Sequence, residues 1–337
     1  MKAVLRALLP GLVVMLAAAG VAVGFVTREI ERVLITPFTV TAPALFQVAR
    51  GQGVGQVARA LEMDGWVTDH RLFAWHTRLA GLAGRLQAGT YEILPGDTLA
   101  ELLRKLRVGE TKVFTVRFIE GTRFGDVREA LDHAVGVVHE IRTMNDAEIL
   151  AALDVDEASP EGIFFPATYH FDYGTRDLEI LTRAARRMRG ELERAWARRA
   201  GDLPYRIPYE VLIMASIIEK ETGVASEREE IAGVFVRRLT LGMKLQTDPT
   251  VIYGLGKDFD GNLRRADLER DTPYNTYTRH GLPPTPIALP GRAALLAAVN
   301  PTSGTALYFV ANGEGGHHFS DSLGEHNAAV RRYQLRR

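Results

Sequence analysis

Two short stretches carry residue types suited to chemistry: Ser216-Ile217-Ile218-Glu219-Lys220-Glu221-Thr222-Gly223, and Gln246-Thr247-Asp248-Pro249. Glu219 closes the run Val211-Leu212-Ile213-Met214-Ala215-Ser216-Ile217-Ile218, which is apolar all round and therefore reads as a helix buried in a core. A glutamate at the end of such a helix meets low dielectric, which favours its protonated form and raises its pKa. That is how a general acid is made near neutral pH. Glu221, two positions on, lies about 200° around the helix axis, so the two carboxylates cannot flank one glycosidic bond as an acid and base pair. Glu219 then acts alone or with a partner from elsewhere in the fold, for which Asp248 is a candidate, although Asp-Pro is also ordinary turn chemistry. Glu221 and Ser216 take supporting roles in this reading.

Tyr274-Asn275-Thr276-Tyr277 offers amides, hydroxyls and two flat aromatic faces, a combination suited to sugar rings and N-acetyl groups. Gly281-Leu282-Pro283-Pro284 stiffens the adjoining loop, which lowers the entropy lost on binding. His317, His318 and His326 lack the His-x-x-x-His spacing and following acidic ligand of a zinc site, so no metal is expected. Lys220 has no phosphate-binding loop or pyridinium partner beside it that would mark a pyridoxal-phosphate site, and no cofactor is expected.

Around these residues the chain runs to 337 positions, room for two or three domains. It has 41 basic and 41 acidic residues, so no global field draws it to nucleic acid. The absence of cysteine excludes a disulfide scaffold, a thiol nucleophile and any thiolate metal site. Residues 7–26 carry no charge, and as a helix they extend about 30 Å, the thickness of a bilayer's hydrocarbon core. Lys2 and Arg6 precede them, which by the positive-inside rule predicts a cytoplasmic tail over 1–6 and an exported remainder. A cleaved signal peptide ending near Ala17-Ala18-Ala19 is the competing reading. A stalk is expected over 27–44.

Beyond the stalk an internal repeat emerges. Gly51, Gly96 and Gly121 are each followed by apolar residues at +3, +6 and +10, tracing one face of a short helix entered through a glycine turn. A strand-like segment precedes each: 46–48, 89–93 and 113–118. The span 45–108 resembles the LysM-like module, a small α/β fold that binds chains of N-acetyl sugars; an amphipathic helix on a small sheet with no ligand is the alternative. Further on, 177–200 reads as an arginine-rich helix whose face is solvated and balanced by Glu179, Glu191 and Glu193 through i,i+4 pairs. The buried helix 209–222 is predicted to stop at Gly223 as a left-handed cap, and Ser226 to Glu229 to open the next helix, 227–241, with a capping box. A strand over 307–311, a turn at Asn312-Gly313, a returning strand at 317–319 and a helix capped by Ser322 complete the chain. The fold class is α+β: a transmembrane helix, a LysM-like α/β module and a mixed catalytic domain over 109–337.

Taken together, 215–222, 245–254, Tyr274-Asn275-Thr276-Tyr277, Gly281-Leu282-Pro283-Pro284 and Gly315-Gly316-His317 resemble the bacterial endolytic murein transglycosylase (YceG-like) family. The resemblance covers nearly the whole chain in order. It implies a single-pass inner-membrane lyase with its C-terminal domain in the periplasm or outside, cleaving the β-1,4 bond between N-acetylmuramic acid and N-acetylglucosamine and leaving 1,6-anhydro ends. It implies Glu219, the first glutamate of the Glu-x-Glu pair, as the catalytic residue, with Gln246, Asp248, Tyr274, Asn275, Thr276, Tyr277 and His317 binding substrate. Its expected partners are peptidoglycan strands and a penicillin-binding synthase, its expected role the termination of strand elongation. A lysozyme-like hydrolase and a non-catalytic glycan-binding scaffold stay open beside it.

Overall fold

A computed structural model describes residues 2–82 and 84–335, with side chains from residue 15 onward. The chain divides into two compact units, 1–114 and 115–337.

The first unit opens with a helix α1 (Lys2–Ile35), followed by β1 (Ala44–Val48), α2 (Val54–Met63), α3 (His70–Leu79), β2 (Gly89–Ile93) and α4 (Leu99–Val108). β1 and β2 pair antiparallel, with Ala44 opposite Ile93 and Val48 opposite Gly89. Phe46, Val48, Tyr91 and Ile93 turn from this ribbon onto Val57, Leu61, Leu102 and Leu106, which are all fully or almost fully buried. Two strands alone would be marginal, and the helices supply the apolar face that holds them. Lys105 is drawn into this core but keeps its charge partnered, donating to Asp97 at 2.6 Å and to the Glu92 carbonyl at 2.9 Å.

α1 corrects the expectation at the N-terminus. Among the described residues no helix is long and apolar enough to cross a membrane, which overturns the single-pass span over 7–26 and the inner-membrane placement built on it. The side chains of 7–14 lie outside the described residues. Arg28, Glu29, Glu31 and Arg32 then charge the same helix. The helix also continues through much of the expected stalk to Ile35, and its last turns pack on α3 and α4, where Ile30, Val33 and Leu34 meet Leu72, Phe73 and Leu99.

The second unit contains β3 (Phe114–Arg117), α5 (Phe124–Asp132), β4 (Val137–Val138), α6 (Asp146–Ala152), β5 (Thr168–Phe171), β6 (Thr175–Arg176), α7 (Asp177–Ala197), α8 (Pro208–Glu221), α9 (Arg228–Thr240), α10 (Asp248–Leu255), α11 (Arg265–Glu269), α12 (Arg292–Val299), β7 (Tyr308–Ala311), β8 (His317–Ser320) and α13 (Leu323–Tyr333). β3 pairs with β5, β4 with β6, and β7 with β8. The architecture is mixed α+β with small two-stranded sheets.

The glycine repeat is visible in both units. Gly51, Gly96 and Gly121 all have φ between 77° and 92°, the left-handed region that glycine adopts without a steric penalty. The nine apolar residues at +3, +6 and +10 are all buried.

α8 is the organising helix of the second unit. Pro208 starts it at N1, where its missing N–H costs nothing. Residues 211–218 are then all buried, because α7, α9, α10 and α12 pack around it. Truncating one of its large apolar side chains to alanine costs about 2–5 kcal/mol. Its end differs from expectation: Gly223 is not in the left-handed region, and instead Thr222 turns extended, its hydroxyl accepting from Val224 N at 2.9 Å. Nor does Ser226 form a capping box; a single 3₁₀ turn at 225–227 leads into α9, and Glu227 is engaged elsewhere. On α7, Glu191 is not on a solvated face: it is buried and binds Arg292 and Arg194.

Candidate active site

The two glutamates at the end of α8 face different surroundings, as their angular separation requires. Glu219, its side chain 8% exposed, accepts from Gly291 N at 2.9 Å at the start of α12, with Arg228 at 4.0 Å. Burial raises its pKa; the Gly291 bond opposes this and the neighbouring Glu120 carboxylate adds to it. Glu221 looks the other way, into a cleft of about 550 Å³. There its carboxylate accepts from the Thr247 hydroxyl. Burial pushes its pKa up to about 7; the Thr247 bond lowers it, Asp248 raises it, and His317 and Arg238 lower it. A carboxyl poised near neutrality can give a proton to a leaving oxygen and take one back.

The cleft gathers Glu221 with Gln246, Asp248, Tyr277 and His317, four residues that sequence reasoning expected at the substrate. Gln246 sits at φ 51°, a strained conformation for a side chain of its size, held by its N–H to the Thr276 carbonyl at 3.1 Å. Asp248 opens α10, and its carboxylate accepts from the Tyr277 hydroxyl at 2.6 Å. Glu221, given a supporting role by the sequence, is the glutamate of the pair that lines this cleft.

Glu219, Ser216, Tyr274, Asn275 and Thr276 are not among the residues lining the cleft. Ser216 is fully buried, donating to the Ile213 carbonyl and accepting from Ile287 N at 3.0 Å. Asn275 is equally buried; its amide donates to the carbonyls of Asp267, Leu268 and Arg270 while its oxygen accepts from Tyr277 N at 2.8 Å. Thr276 ties Thr247 N and the Thr250 hydroxyl. Tyr274 packs its ring 4.8 Å from Tyr253 and bonds the Thr285 hydroxyl. These side chains build the wall: Asn275 shapes the loop that Thr276 fastens to Thr247, which in turn reaches Glu221.

Several cleft residues were not singled out in the sequence. Arg238, 7% exposed, donates to the carbonyls of Leu307 and Leu245 at 2.6 and 2.8 Å and lies 4.9 Å from the Tyr308 ring centroid. Its signal was present: it follows Val234 by four on an inward-facing helical stripe, where a charge demands a partner. Tyr308 stacks at 5.2 Å on His326, which the sequence weighed only as a metal ligand, and Asn327 from α13 joins them in the lining; no local pattern marks Tyr308 or Asn327. Nδ1 of His317 is held at 2.7 Å by Glu227.

The YceG-like family matches residues 46–332. The endolytic murein transglycosylase of Bacillus subtilis is 31% identical over 303 residues, 85% of this chain and 83% of that protein. The endolytic murein transglycosylase of Streptococcus pneumoniae is 27% identical over 318 residues, 84% of this chain but 57% of that longer protein. The crystal structure of a YceG-like protein from Listeria monocytogenes is similar with a TM-score of 0.53 and 28% identity, covering 86% of this chain and 99% of that one.

Proposed function

The chain belongs to the YceG-like family, and from that premise we propose that it is a lyase-type peptidoglycan enzyme, an endolytic transglycosylase with Glu221 as its acid and base. Neutral Glu221 protonates the glycosidic oxygen between N-acetylmuramic acid and N-acetylglucosamine. The resulting carboxylate takes the proton of the muramic acid C6 hydroxyl, which attacks its own anomeric carbon and leaves a 1,6-anhydro end. An intramolecular nucleophile draws its rate from proximity and needs no second carboxylate to activate water. The observation carrying this reading is that Glu221, its pKa pushed up to about 7, shares one cleft with Gln246, Asp248, Tyr277 and His317.

A second reading, lysozyme-like hydrolysis, has one observation in its favour: Asp248 lines the same cleft as Glu221 and is a carboxylate that could activate water. Against it, the Asp248 carboxylate already accepts from Tyr277. Glycan strands digested with the protein and weighed by mass spectrometry separate the two. Anhydro ends that vanish in Glu221→Gln support the transglycosylase, and reducing ends support the hydrolase. Loss of cleavage in Glu219→Gln with retention in Glu221→Gln returns the acid to Glu219.

The finer roles belong to the same proposal. Residues 45–108 act as a LysM-like glycan-binding module, supported by the strand, helix, helix, strand order around one core, and 109–337 form the catalytic domain. Internal cleavage of nascent strands terminates their elongation beside a penicillin-binding synthase. Co-purification with such a synthase and longer strands in cells lacking the protein are the expected results.

A further inference from the structure

Glu227 spends both carboxylate oxygens on one residue. Oε1 accepts from the His317 backbone N–H at 2.9 Å, and Oε2 meets the His317 ring at Nδ1, 2.7 Å away. Both side chains are mostly buried, 17% and 16% exposed. The ring has little choice of orientation: Phe309 meets it edge-on at 5.4 Å, and its backbone is paired with Ala311 across the β7 and β8 hairpin.

The neighbouring glycine confirms how close this approach is. A Cβ on Gly316 would lie 2.5 Å from Oε1 of Glu227, although the Gly316 backbone is outside the left-handed region. An alanine there would push the Glu227 carboxylate aside, so the glycine leaves room for it rather than serving the backbone conformation. The bonds from His317 hold the Glu227 carboxyl below its ordinary range, against the burial that pushes it up. An ionised carboxylate accepts and cannot donate, so in the neutral ring the proton must sit on Nδ1. His317 lines the cleft, and Nε2 is the nitrogen left to serve it.

We propose that Glu227 is a positioning residue that fixes His317 as the Nδ1–H tautomer, presenting Nε2 in the cleft as the acceptor for a sugar hydroxyl. The sugar hydroxyl rests on the glycan reading above; the tautomer does not. A carboxylate behind a functional histidine sets both its orientation and its basicity.

The test uses the full chain labelled with ¹⁵N-histidine, with the His317 signals assigned by their loss in His317→Asn. With the imidazole neutral, long-range ¹H–¹⁵N correlations are expected to show Nδ1 protonated. In Glu227→Gln the amide oxygen must face the obligate backbone donor, which turns its NH₂ toward Nδ1 and moves the proton to Nε2. That variant is expected to lose about 10- to 100-fold in kcat/KM with little change in thermal midpoint. Gly316→Ala should act in the same direction, and the double variant should be no worse than the poorer single, the signature of one shared interaction. Nε2–H in the wild-type protein overturns the proposal, as does lost activity in Glu227→Gln with the tautomer unchanged. A wild-type protein that cleaves no glycan defeats the functional reading by itself, while the tautomer still decides the part played by Glu227.

Discussion

The hydroxyl of Thr247 donates to the carboxylate of Glu221, joining the end of α8 to the residue that precedes α10. Thr247 is itself fixed, 2% exposed with its N–H on the Thr276 hydroxyl at 3.1 Å. The carboxyl that faces the cleft is thus held by a chain of threonines bonded to one another within the protein.

Glu221→Gln keeps the shape of the side chain and removes its proton traffic. Cleavage of glycan strands is expected to fall by 10² to 10⁴, the usual contribution of a general acid. Glu219→Gln keeps the bond from Gly291 N and relieves the repulsion from Glu120, so its activity is expected to stay within about tenfold of wild type. Release of anhydro products, followed by mass spectrometry, distinguishes the pair.

The pH dependence follows from the direction of the Glu221 shift. Its acid form is required, so kcat/KM should be level below the raised pKa near 7 and decline as pH rises through it. Thr247→Val removes a donor to the ionised form and should move that decline upward by about one pH unit, whereas Thr247→Ser should leave it in place. An unmoved profile in Thr247→Val would exclude Glu221 as the group that titrates.

Glu161 supplies a stability prediction away from the cleft. It is 5% exposed, accepts from Phe124 N at 3.0 Å and from the Tyr253 hydroxyl at 3.3 Å, and burial pushes its pKa up to about 7. A carboxyl whose folded pKa is raised binds its proton more tightly in the native state. Its stabilisation is therefore complete below the unfolded value near 4.3 and is lost as pH rises through 7. The thermal midpoint of the wild-type protein should fall between pH 5 and 8, and Glu161→Gln should flatten that fall.

Arg238→Met should destabilise by about 2–4 kcal/mol, measured by denaturant unfolding, because the carbonyls of Leu245 and Leu307 would lose the donor that satisfies them. It should also loosen the cleft wall at Tyr308 and raise KM more than it lowers kcat.

How far these features were legible depends on their range along the chain. The glycine turns at 51, 96 and 121 and the all-round apolar character of α8 are local patterns, and the elements they predict are present. The angular separation of Glu219 and Glu221 was equally legible, but which of them meets the cleft was not. That is decided by Gly291 and Thr247, which lie 72 and 26 residues away from their respective glutamates. The same limit hid the part played by Asn275 and Thr276: their amide and hydroxyl suit a sugar, but the loop carbonyls and Thr247 already occupy them. At Gly223 a familiar stop signal was overridden by Thr222, whose own hydroxyl closes the turn. The N-terminal apolar run belongs to a longer helix whose charged last turns pack on α3 and α4, a tertiary contact that the run itself does not announce.

That α8 ends at Glu221 has one more effect. Every peptide unit of a 14-residue helix contributes to an electric dipole whose negative pole lies at its last turn. Both glutamates occupy that pole, where a second negative charge is disfavoured, so the direction in which the chain runs through the core itself helps keep the cleft carboxyl protonated. A cation introduced beside Thr222 would cancel that field and make the acid stronger, with no contact to substrate.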